Sequence, residues 1–257
     1  MLTRRQIQSH SVKAGVPLHT VERDYVQTLF LYELYKQNND FLFKGGTCLR
    51  MGYKLNRYSE DLDFNYNADS EEGMKALKFA TTRLIDFGIE STLKKIDVSP
   101  SGFTFKLRYK GPLYDGKDLS KGSIEIDVSC RKEEVETTSK LINPVYDDCP
   151  SFVFTCLTLD HILAEKVRAL VIRGKPRDLY DIWFLREHID FDIYLINEKL
   201  RLYGMVFQDV NIDEILSDVE RDWKQDMLPL LGFLPDVSKI MKTTGNKLKQ
   251  LQKLKSV

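Results

Sequence analysis

The sequence of 257 residues predicts an α+β protein in which a half that mixes helices with a β-sheet precedes an all-helical half. Strand-like runs with period-two alternation lie between residues 89 and 129. After Pro150 the apolar residues recur at helical spacing to the end of the chain. Because no Pro/Gly-rich linker separates the halves, this change of periodicity sets the expected domains, residues 1–155 and residues 156–257.

The first half begins with a helical pattern. Residues 19–37 carry apolar side chains at helical spacing and predict an amphipathic helix with Thr20 as its N-cap. The segment FLFKGGTCLRMGYKL predicts a strand that ends at Lys44, a turn at the two glycines and a helix that starts near Thr47. The alternating segment DLDFNYN predicts the next strand.

More of the sheet is expected after a second helix. Helical spacing returns between Glu71 and Gly88. The segments IESTLKKIDVS, FTFKLRY and SIEIDVS then predict three strands, because Gly and Pro turns separate them. In the second half, LTLDHILAEKVRALVIR predicts a long helix and RDLYDIWFLRE predicts another.

The composition is that of an ordinary globular protein, with 42% hydrophobic and 30% charged residues. The 38 basic and 38 acidic residues give a net charge of +0, which argues against coating of nucleic acid or a membrane through bulk charge. Local charge is less even, because residues 237–257 hold six lysines and no acidic residue. This segment is either a solvated terminal helix or a phosphate-binding arm.

Targeting and metal signals are absent from the sequence. It carries neither a signal peptide nor a run of eighteen apolar residues. The four cysteines are scattered, without a CxxC pair or a cluster of histidines beside them. We therefore expect a cytoplasmic protein with reduced thiols, no membrane segment and no zinc site.

Two aspartates carry the chemistry that the sequence indicates. Thirteen residues separate the segment Lys44-Gly45-Gly46-Thr47 from Asp61-Leu62-Asp63. Side chains two apart on a strand lie on one face, so both carboxylates project together while Leu62 turns into the core. Their repulsion disfavours two charged groups unless a divalent cation lies between them. Hard oxygen ligands indicate magnesium.

The glycine pair before the helix indicates an anion site. Gly45 and Gly46 permit a tight turn with close backbone approach, and the following helix directs free N–H groups at that turn. A phosphate suits this position. The segment lacks the GxxxxGK[ST] spacing of a P-loop and the GxGxxG spacing of a dinucleotide fold.

A third carboxylate is available on a later strand. In SIEIDVS, three apolar residues form one face, and Glu125 and Asp127 form the other. If this strand lies beside DLDFNYN, Asp127 completes a carboxylate triad around metal ions. A surface strand with a polar outer face accounts for Asp127 equally well.

These residues together resemble a known family. KGGT followed by RYSEDLDF resembles the AbiEii/AbiGii (MenT-like) nucleotidyltransferase toxins of the DNA polymerase β-type superfamily. VPLHTVERDY, LTLDHILAEKVRALVIRGKPRDLYDIWFL and WKQDMLPLLGFLPDVSKI are similar to further parts of that group. The resemblance implies a nucleotidyltransferase fold, with a mixed β-sheet core followed by a C-terminal helical domain.

The resemblance also implies site residues. It gives nucleotide binding to the glycine turn and its neighbours, and metal binding to three aspartates, of which the first two are also catalytic. It gives catalytic or supporting roles to a lysine and two aspartates in the helical half. In that order these residues are Gly45, Gly46, Thr47 and Ser59; Asp61, Asp63 and Asp127; and Lys166, Asp178 and Asp181. Lys166 is also implied to bind the triphosphate, and Ser59 to be a point of phosphorylation in some systems.

Purely structural roles also fit the residues in the helical half. Lys166 lies beside the apolar face of its helix, where its ammonium can reach outward and pair with a carboxylate. Asp178 and Asp181 share a face near a helix start, where the helix dipole alone stabilises them. Arg177, with its basic neighbours, suits either those aspartates or substrate phosphates.

The expected function is a Mg²⁺-dependent nucleotidyltransferase that moves NMP from an NTP to an RNA acceptor, such as the 3′ end of tRNA. The resemblance implies a toxin of a type IV-like toxin–antitoxin pair, with an antitoxin as partner. Two alternatives stay open. One is the same chemistry on a small hydroxylated molecule, and the other is a nucleotide-binding interaction module without catalysis.

Overall fold

The chain forms two compact units in a computed structural model that describes residues 1–253. The first unit comprises Met1–Leu157, and the second begins at Thr158. Helices and a seven-stranded sheet build the first unit, whereas the second is helical. Within residues 1–253, no helix combines the length and apolar character needed to cross a bilayer.

Four helices and seven strands make up the first unit. In chain order they are α1 (Arg4–Ala14), α2 (Leu18–Tyr35), β1 (Phe41–Lys44), α3 (Gly45–Tyr53), β2 (Leu62–Tyr66), α4 (Ser70–Arg83), β3 (Glu90–Ser99), β4 (Gly102–Lys110), β5 (Gly122–Ser129), β6 (Thr137–Ile142) and β7 (Phe152–Leu157). Short 3₁₀ turns lie at Leu84–Phe87 and Asp118–Ser120.

The strands form one mixed sheet in the order β3-β4-β5-β2-β1-β7-β6. β2 is parallel to β5 and β1 is parallel to β7, while the other neighbouring pairs are antiparallel. The long strands thus lie at one end of the sheet, and β1, β2 and β5 occupy its middle. This order places the DLD segment and the glycine turn on adjacent central strands.

Alternation along the strands separates a covered face from a polar one. On β4 the apolar side chains Phe103, Phe105, Leu107 and Tyr109 are buried, and the residues between them are half-buried. Helix α4 packs on the covered face, because a Cβ built on Gly73 would lie 2.8 Å from the Tyr66 ring and 3.2 Å from the Phe103 ring. The polar residues of the same strands therefore face the other way.

A buried ion pair joins helices α2 and α3. The guanidinium of Arg50 donates to Asp24, with Nε 2.6 Å from Oδ1, and Asp24 is only 4% exposed. The hydroxyl of Tyr146 donates to the other oxygen of Asp24 at 2.6 Å. Arg50 also lies 3.4 Å from the centre of the Tyr58 ring. The cluster thus connects both helices to the loop that leads to the DLD segment.

The second unit consists of helices with short connections. They are α5 (Leu159–Arg173), α6 (Pro176–Leu185), α7 (Ile193–Arg201), α8 (Ile212–Met227), α9 (Val237–Ile240) and α10 (Asn246–Gln252), with a π-helical turn at Met241–Gly245 between the last two. Leu248 and Leu251 are buried, so one face of the basic tail segment is covered by other residues. Its Lys249 pairs with Asp213. The tail's Lys255 lies outside the described residues.

Most predicted elements are confirmed, with several differences. Thr20 is not the N-cap: Pro17 occupies that position, and Thr20 lies buried inside α2. Helix α3 begins at Gly45, two residues earlier than expected, because the backbone turns at that glycine. The sheet also gains β6 and β7, and α1 precedes α2, none of which the sequence patterns indicated.

We predict that Asp24→Asn destabilises the first unit by about 3 kcal/mol, because it leaves the Arg50 charge mostly buried without its carboxylate. Urea unfolding followed by far-UV circular dichroism measures this change. Asp86→Asn is the matched control, since Asp86 forms an exposed pair with Arg83, and such pairs contribute less than about 1 kcal/mol. Equal stability losses in the two variants would contradict a supporting role for the Asp24–Arg50 pair.

Candidate active site

The glycine turn forms the start of helix α3. Lys44 is extended, Gly45 has a φ of +77°, and the helix follows at once. No side chain caps this helix start, and its first turn carries no acidic residue. The first N–H groups of a helix have no partner within the helix and favour negative charge. The turn therefore presents an N-terminus suited to an anion.

The Asp63 carboxylate lies directly against this turn. A Cβ built on Gly45 would come within 2.1 Å of Asp63 Oδ2 and 2.9 Å of its Cγ. The contact follows from the sheet register, which places Asp63 opposite Lys44 on the antiparallel neighbour. Gly45 is thus required both by its positive φ and by the approach of Asp63.

Arg57 and Ser59 lie over the second glycine. A Cβ built on Gly46 would be 2.4 Å from Arg57 Nη2 and 2.8 Å from Ser59 Oγ. Arg57 is 1% exposed, and its Nη1 donates to the Tyr58 carbonyl at 2.9 Å. A buried guanidinium and a hydroxyl thus border the turn. Sequence reasoning missed Arg57, because one arginine in a loop gives no sign of burial.

Thr47 connects the helix to the first aspartate. Its side chain is fully buried, and its hydroxyl donates to the Asp61 carbonyl oxygen at 2.5 Å. This bond fixes the backbone one residue before β2. The Thr47 hydroxyl therefore holds Asp61 in place, and a contribution of this residue to phosphate binding would come from its backbone N–H.

The third aspartate lies beside the second. In the parallel pairing of β2 with β5, Asp63 is the register partner of Asp127, and Leu62 is that of Ile126. The expected adjacency of these strands is confirmed. Asp127 is exposed, and the hydroxyl of Thr104 on β4 donates to its Oδ1 at 2.7 Å. Thr104 is a further neighbour of the site that the sequence did not indicate.

The three aspartates offer only carboxylate oxygen, the donor that hard divalent cations prefer. Asp63 and Asp127 lie on the same face at neighbouring positions, and Asp61 is two residues before Asp63. Across residues 1–253, however, no three Asp, Glu, His or Cys side chains lie close enough together to hold a metal ion. The chemistry of the donors therefore fits a divalent metal, while the side chains are not gathered around one.

A separate charged cluster lies inside the second unit. The ammonium of Lys166 is 2.8 Å from Asp181 Oδ2 and 3.5 Å from Asp178 Oδ1. Arg173 donates to both oxygens of Asp178, at 2.7 and 2.9 Å. Both aspartates are 0% exposed and Lys166 is 6% exposed. The structure thus brings Lys166, Asp178 and Asp181 together, and the Lys166 ammonium points to these aspartates rather than outward.

The cluster holds Asp178 in its charged form. Burial raises the pKa of a carboxyl group, but the charges of Lys166 and Arg173 together outweigh it and lower the pKa of Asp178. Arg177, which follows the start of α6, adds to the lowering.

Other cations of the second unit also lie near carboxylates. Arg168 pairs with Glu165 and donates to the Tyr203 hydroxyl at 2.8 Å. Lys175 lies 3.8 Å from Asp222. Most positive charge around α5 and α6 is therefore matched locally.

Comparison with known proteins identifies the family to which these features belong. The family model described as nucleotidyl transferase AbiEii toxin, type IV toxin–antitoxin system, matches residues 29–250. This range covers most of the chain and confirms the resemblance carried by KGGT and RYSEDLDF. No curated protein sequence matches the chain.

Several solved structures share the fold, among them MenT4 and JHP933. MenT4, a nucleotidyltransferase toxin from Mycobacterium tuberculosis H37Rv, has a TM-score of 0.72 and 20% identity over 100% of this chain and 91% of its own. JHP933 from Helicobacter pylori has a TM-score of 0.65 and 22% identity over 93% of this chain and 94% of its own. At these identities the likeness shows the fold, which confirms the expected mixed sheet followed by helices.

We predict that Gly45→Ala destabilises the protein more than Gly116→Ala does. Both glycines have positive φ, at +77° and +96°, so both variants carry backbone strain of about 1–2 kcal/mol. Only at Gly45 does the new methyl group meet Asp63, because nothing lies within 4 Å of a Cβ on Gly116. Urea unfolding measures both, and equal losses would show that the Asp63 carboxylate does not press against the turn.

We predict that Asp178→Asn lowers stability at neutral pH by a few kcal/mol and that this loss shrinks in acid. A lowered pKa in the folded state means that the charged form stabilises the fold above the unfolded value, about 3.9, and that this contribution is lost as pH falls through the folded pKa. The difference between variant and wild type should therefore be constant from pH 7 to 5 and narrow below pH 4.

Tryptophan fluorescence measures this unfolding selectively, because the two tryptophans of the chain, Trp183 and Trp223, both belong to the second unit. Asp190→Asn, at an exposed position of the same unit, is the control and should change little. A loss for Asp178→Asn that persists unchanged at pH 3 would contradict an electrostatic origin.

Proposed function

The chain belongs to the AbiEii family of nucleotidyl transferase toxins of type IV toxin–antitoxin systems, and on that premise we propose that it transfers NMP from an NTP to the 3′ end of an RNA, such as tRNA. Family membership makes the protein a nucleotidyltransferase with a nucleotide substrate and an antitoxin partner. The acceptor and the metal are the parts that we propose.

The observation that carries this proposal is the contact between Asp63 and Gly45. It places the Asp63 carboxylate beside the N-terminus of helix α3, 2.1 Å from the Cβ position of Gly45. No side chain caps this helix start. An enzyme of this class must hold a polyphosphate beside metal-binding carboxylates. The glycine turn supports phosphate binding, and the aspartates next to it support metal binding.

Mg²⁺ is the metal that we propose, with Asp61, Asp63 and Asp127 as its ligands. Nucleotidyltransferases of this family generally use a divalent metal ion. When bound, the ion would supply positive charge that neutralises the triphosphate and acidifies the attacking hydroxyl. The Thr47 hydroxyl, which donates to the Asp61 carbonyl, keeps that aspartate aligned with the turn.

Three kinds of hydrogen-bond donor near the turn suit the nucleotide phosphates. The N–H groups at Gly46 and Thr47 begin helix α3, and the Arg57 guanidinium and the Ser59 hydroxyl lie over Gly46. Positively charged and N–H donors positioned before the reaction stabilise charge that develops on phosphoryl oxygens. A phosphoryl group on Ser59 would bring about −1.5 to −2 charge to the same place and oppose nucleotide binding.

From the family resemblance we propose that Lys166 binds the triphosphate. Asp181 and Asp178 hold its ammonium at 2.8 and 3.5 Å, so the orientation of the lysine is fixed. In this proposal Asp178 acts with Lys166 in catalysis, and Asp181 with Arg177 supports it. No covalent enzyme intermediate is needed, because positioning and electrostatics carry phosphoryl-type transfer.

We predict that Asp61→Ala and Asp63→Ala each reduce transfer by about a hundredfold or more, since each removes a carboxylate ligand. The assay incubates the protein with Mg²⁺, each α-labelled NTP in turn and total RNA, and then follows the label. Asp86→Ala, an exposed carboxylate of the same unit, should transfer at the wild-type rate.

The position of the label distinguishes the alternatives. Label on RNA supports the proposed acceptor, whereas label on a small molecule in a cell extract would replace RNA with a hydroxylated metabolite. NTP binding by calorimetry without pyrophosphate release would indicate the silent binding module. Full RNA labelling by the Asp61→Ala variant would reject the proposed metal site.

A further inference from the structure

The row of residues that contains the site aspartates continues across the sheet into its longest strands. Asp63 on β2 is the register partner of Asp127 on β5, and Asp127 is the partner of Thr104 on β4. Thr104 is in turn the partner of Asp97 on the edge strand β3. Residues directly opposite one another lie on the same face. The polar face of β3 and β4 is therefore continuous with the site.

Basic residues follow on this face along β4. After Thr104, every second residue is basic: Lys106, Arg108 and Lys110. Side chains on one face of a strand repeat about every 6.8 Å, so these cations form a line that leads away from Asp127. We call this line, together with Lys94 on β3, the β4 basic stripe.

Lys94 and Lys106 face each other directly across the two strands. Like charges at directly opposite positions destabilise a sheet unless an anion lies between them. Lys94 is exposed and Lys106 half-buried, and no ion pair within residues 1–253 joins either ammonium to a carboxylate. Glu125 is the register partner of Lys106 on β5 and offsets part of this charge. The lysine pair is nevertheless arranged to receive an anion.

The other two cations of the stripe have exchangeable partners. Arg108 pairs with Asp118 at 3.1 Å, and Lys110 pairs with Glu90. The acidic partners are 67% and 65% exposed. Exposed pairs of this kind contribute little, so a phosphate can replace the carboxylate at small cost. By contrast, Arg173 in the second unit is held by a fully buried Asp178.

We propose that the β4 basic stripe binds the phosphate backbone of the acceptor RNA and leads its 3′ end to Asp63 and Asp127. The inference rests on the proposed function and adds the path of the acceptor. A line of cations at regular spacing suits a single strand, whose successive phosphates follow one another along the chain. The stripe also begins next to the site, because Lys106 is two residues after Thr104, whose hydroxyl donates to Asp127.

Lysines near a sheet edge can also serve to prevent pairing with strands of other molecules. This role suits Lys94 on β3, which is the edge strand. It does not suit Lys106, because β4 has a partner on both sides. The position of Lys106 therefore favours the RNA path.

The test uses the full-length protein with Lys94→Gln and Lys106→Gln combined. The control combines Lys75→Gln with Lys78→Gln, two exposed lysines on α4, which packs on the opposite face. Binding of a fluorescent single-stranded RNA is measured by anisotropy at several salt concentrations, without NTP. We expect the stripe variant to bind about tenfold more weakly and the control to bind like wild type.

The salt dependence gives a second measurement. A plot of log affinity against log salt concentration has a negative slope, and each lost phosphate contact on a single strand makes it shallower by about 0.7. The stripe variant loses two contacts, so its slope should be shallower by about 1.4. The KM for RNA should rise about tenfold while the KM for NTP stays unchanged. Unaltered RNA affinity and slope in a folded stripe variant would overturn the proposal. The proposal would also be overturned if the variant differed from the wild type only in its tendency to aggregate.

Failure of this inference is distinguishable from failure of the proposed function. If the wild-type protein labels RNA and the stripe variant labels it with the same KM, the path is wrong but the function stands. If the wild type labels a small molecule and does not bind RNA, both are wrong. Weaker binding by the control variant to the same degree would show non-specific attraction and overturn the path.

Discussion

The approach of Asp63 to the Gly45 backbone is the constraint on which the site depends. A carboxylate oxygen that would lie 2.1 Å from a Cβ at position 45 leaves no room for a side chain. The contact brings negative charge to the N-terminus of α3, where the helix dipole favours it by about 0.3–1 kcal/mol. A substrate phosphate would occupy the same field. Both anions can share it only when positive charge lies near them, which the Arg57 guanidinium and a divalent metal would provide.

The neighbouring contacts hold that arrangement rigidly. The Thr47 hydroxyl fixes the Asp61 carbonyl, and Arg50 connects the same helix to Asp24. Both bonds are partly buried, and they link helix α3 to the start of β2 and to helix α2. The backbone at Asp61 is thereby held by the fold before a ligand binds, which limits the reorganisation that binding requires.

Sequence patterns predicted what depends on local periodicity. The strand pattern of SIEIDVS placed Asp127 on a polar face, and the register with β2 confirms its neighbour. Helix α1 escaped prediction because Ile7 is its only buried residue, so it has no apolar stripe. Residue type favours Thr20 as a cap, yet Pro17, with its fixed φ, occupies the N-cap position before α2. Burial of Arg57 depends on packing between distant segments, and local sequence patterns do not predict such packing.

A net charge of +0 describes the sum of charges and not their arrangement. In the second unit, positive charges such as Arg173 lie against fully buried carboxylates and cannot leave them without weakening the compensation of a buried charge. On the sheet of the first unit, cations such as Arg108 pair with carboxylates that face water. Buried pairs fix structure, whereas exposed pairs can exchange partners at little cost. A neutral chain can therefore offer a local path to a polyanion, provided that its fixed and its exchangeable charges lie in different places.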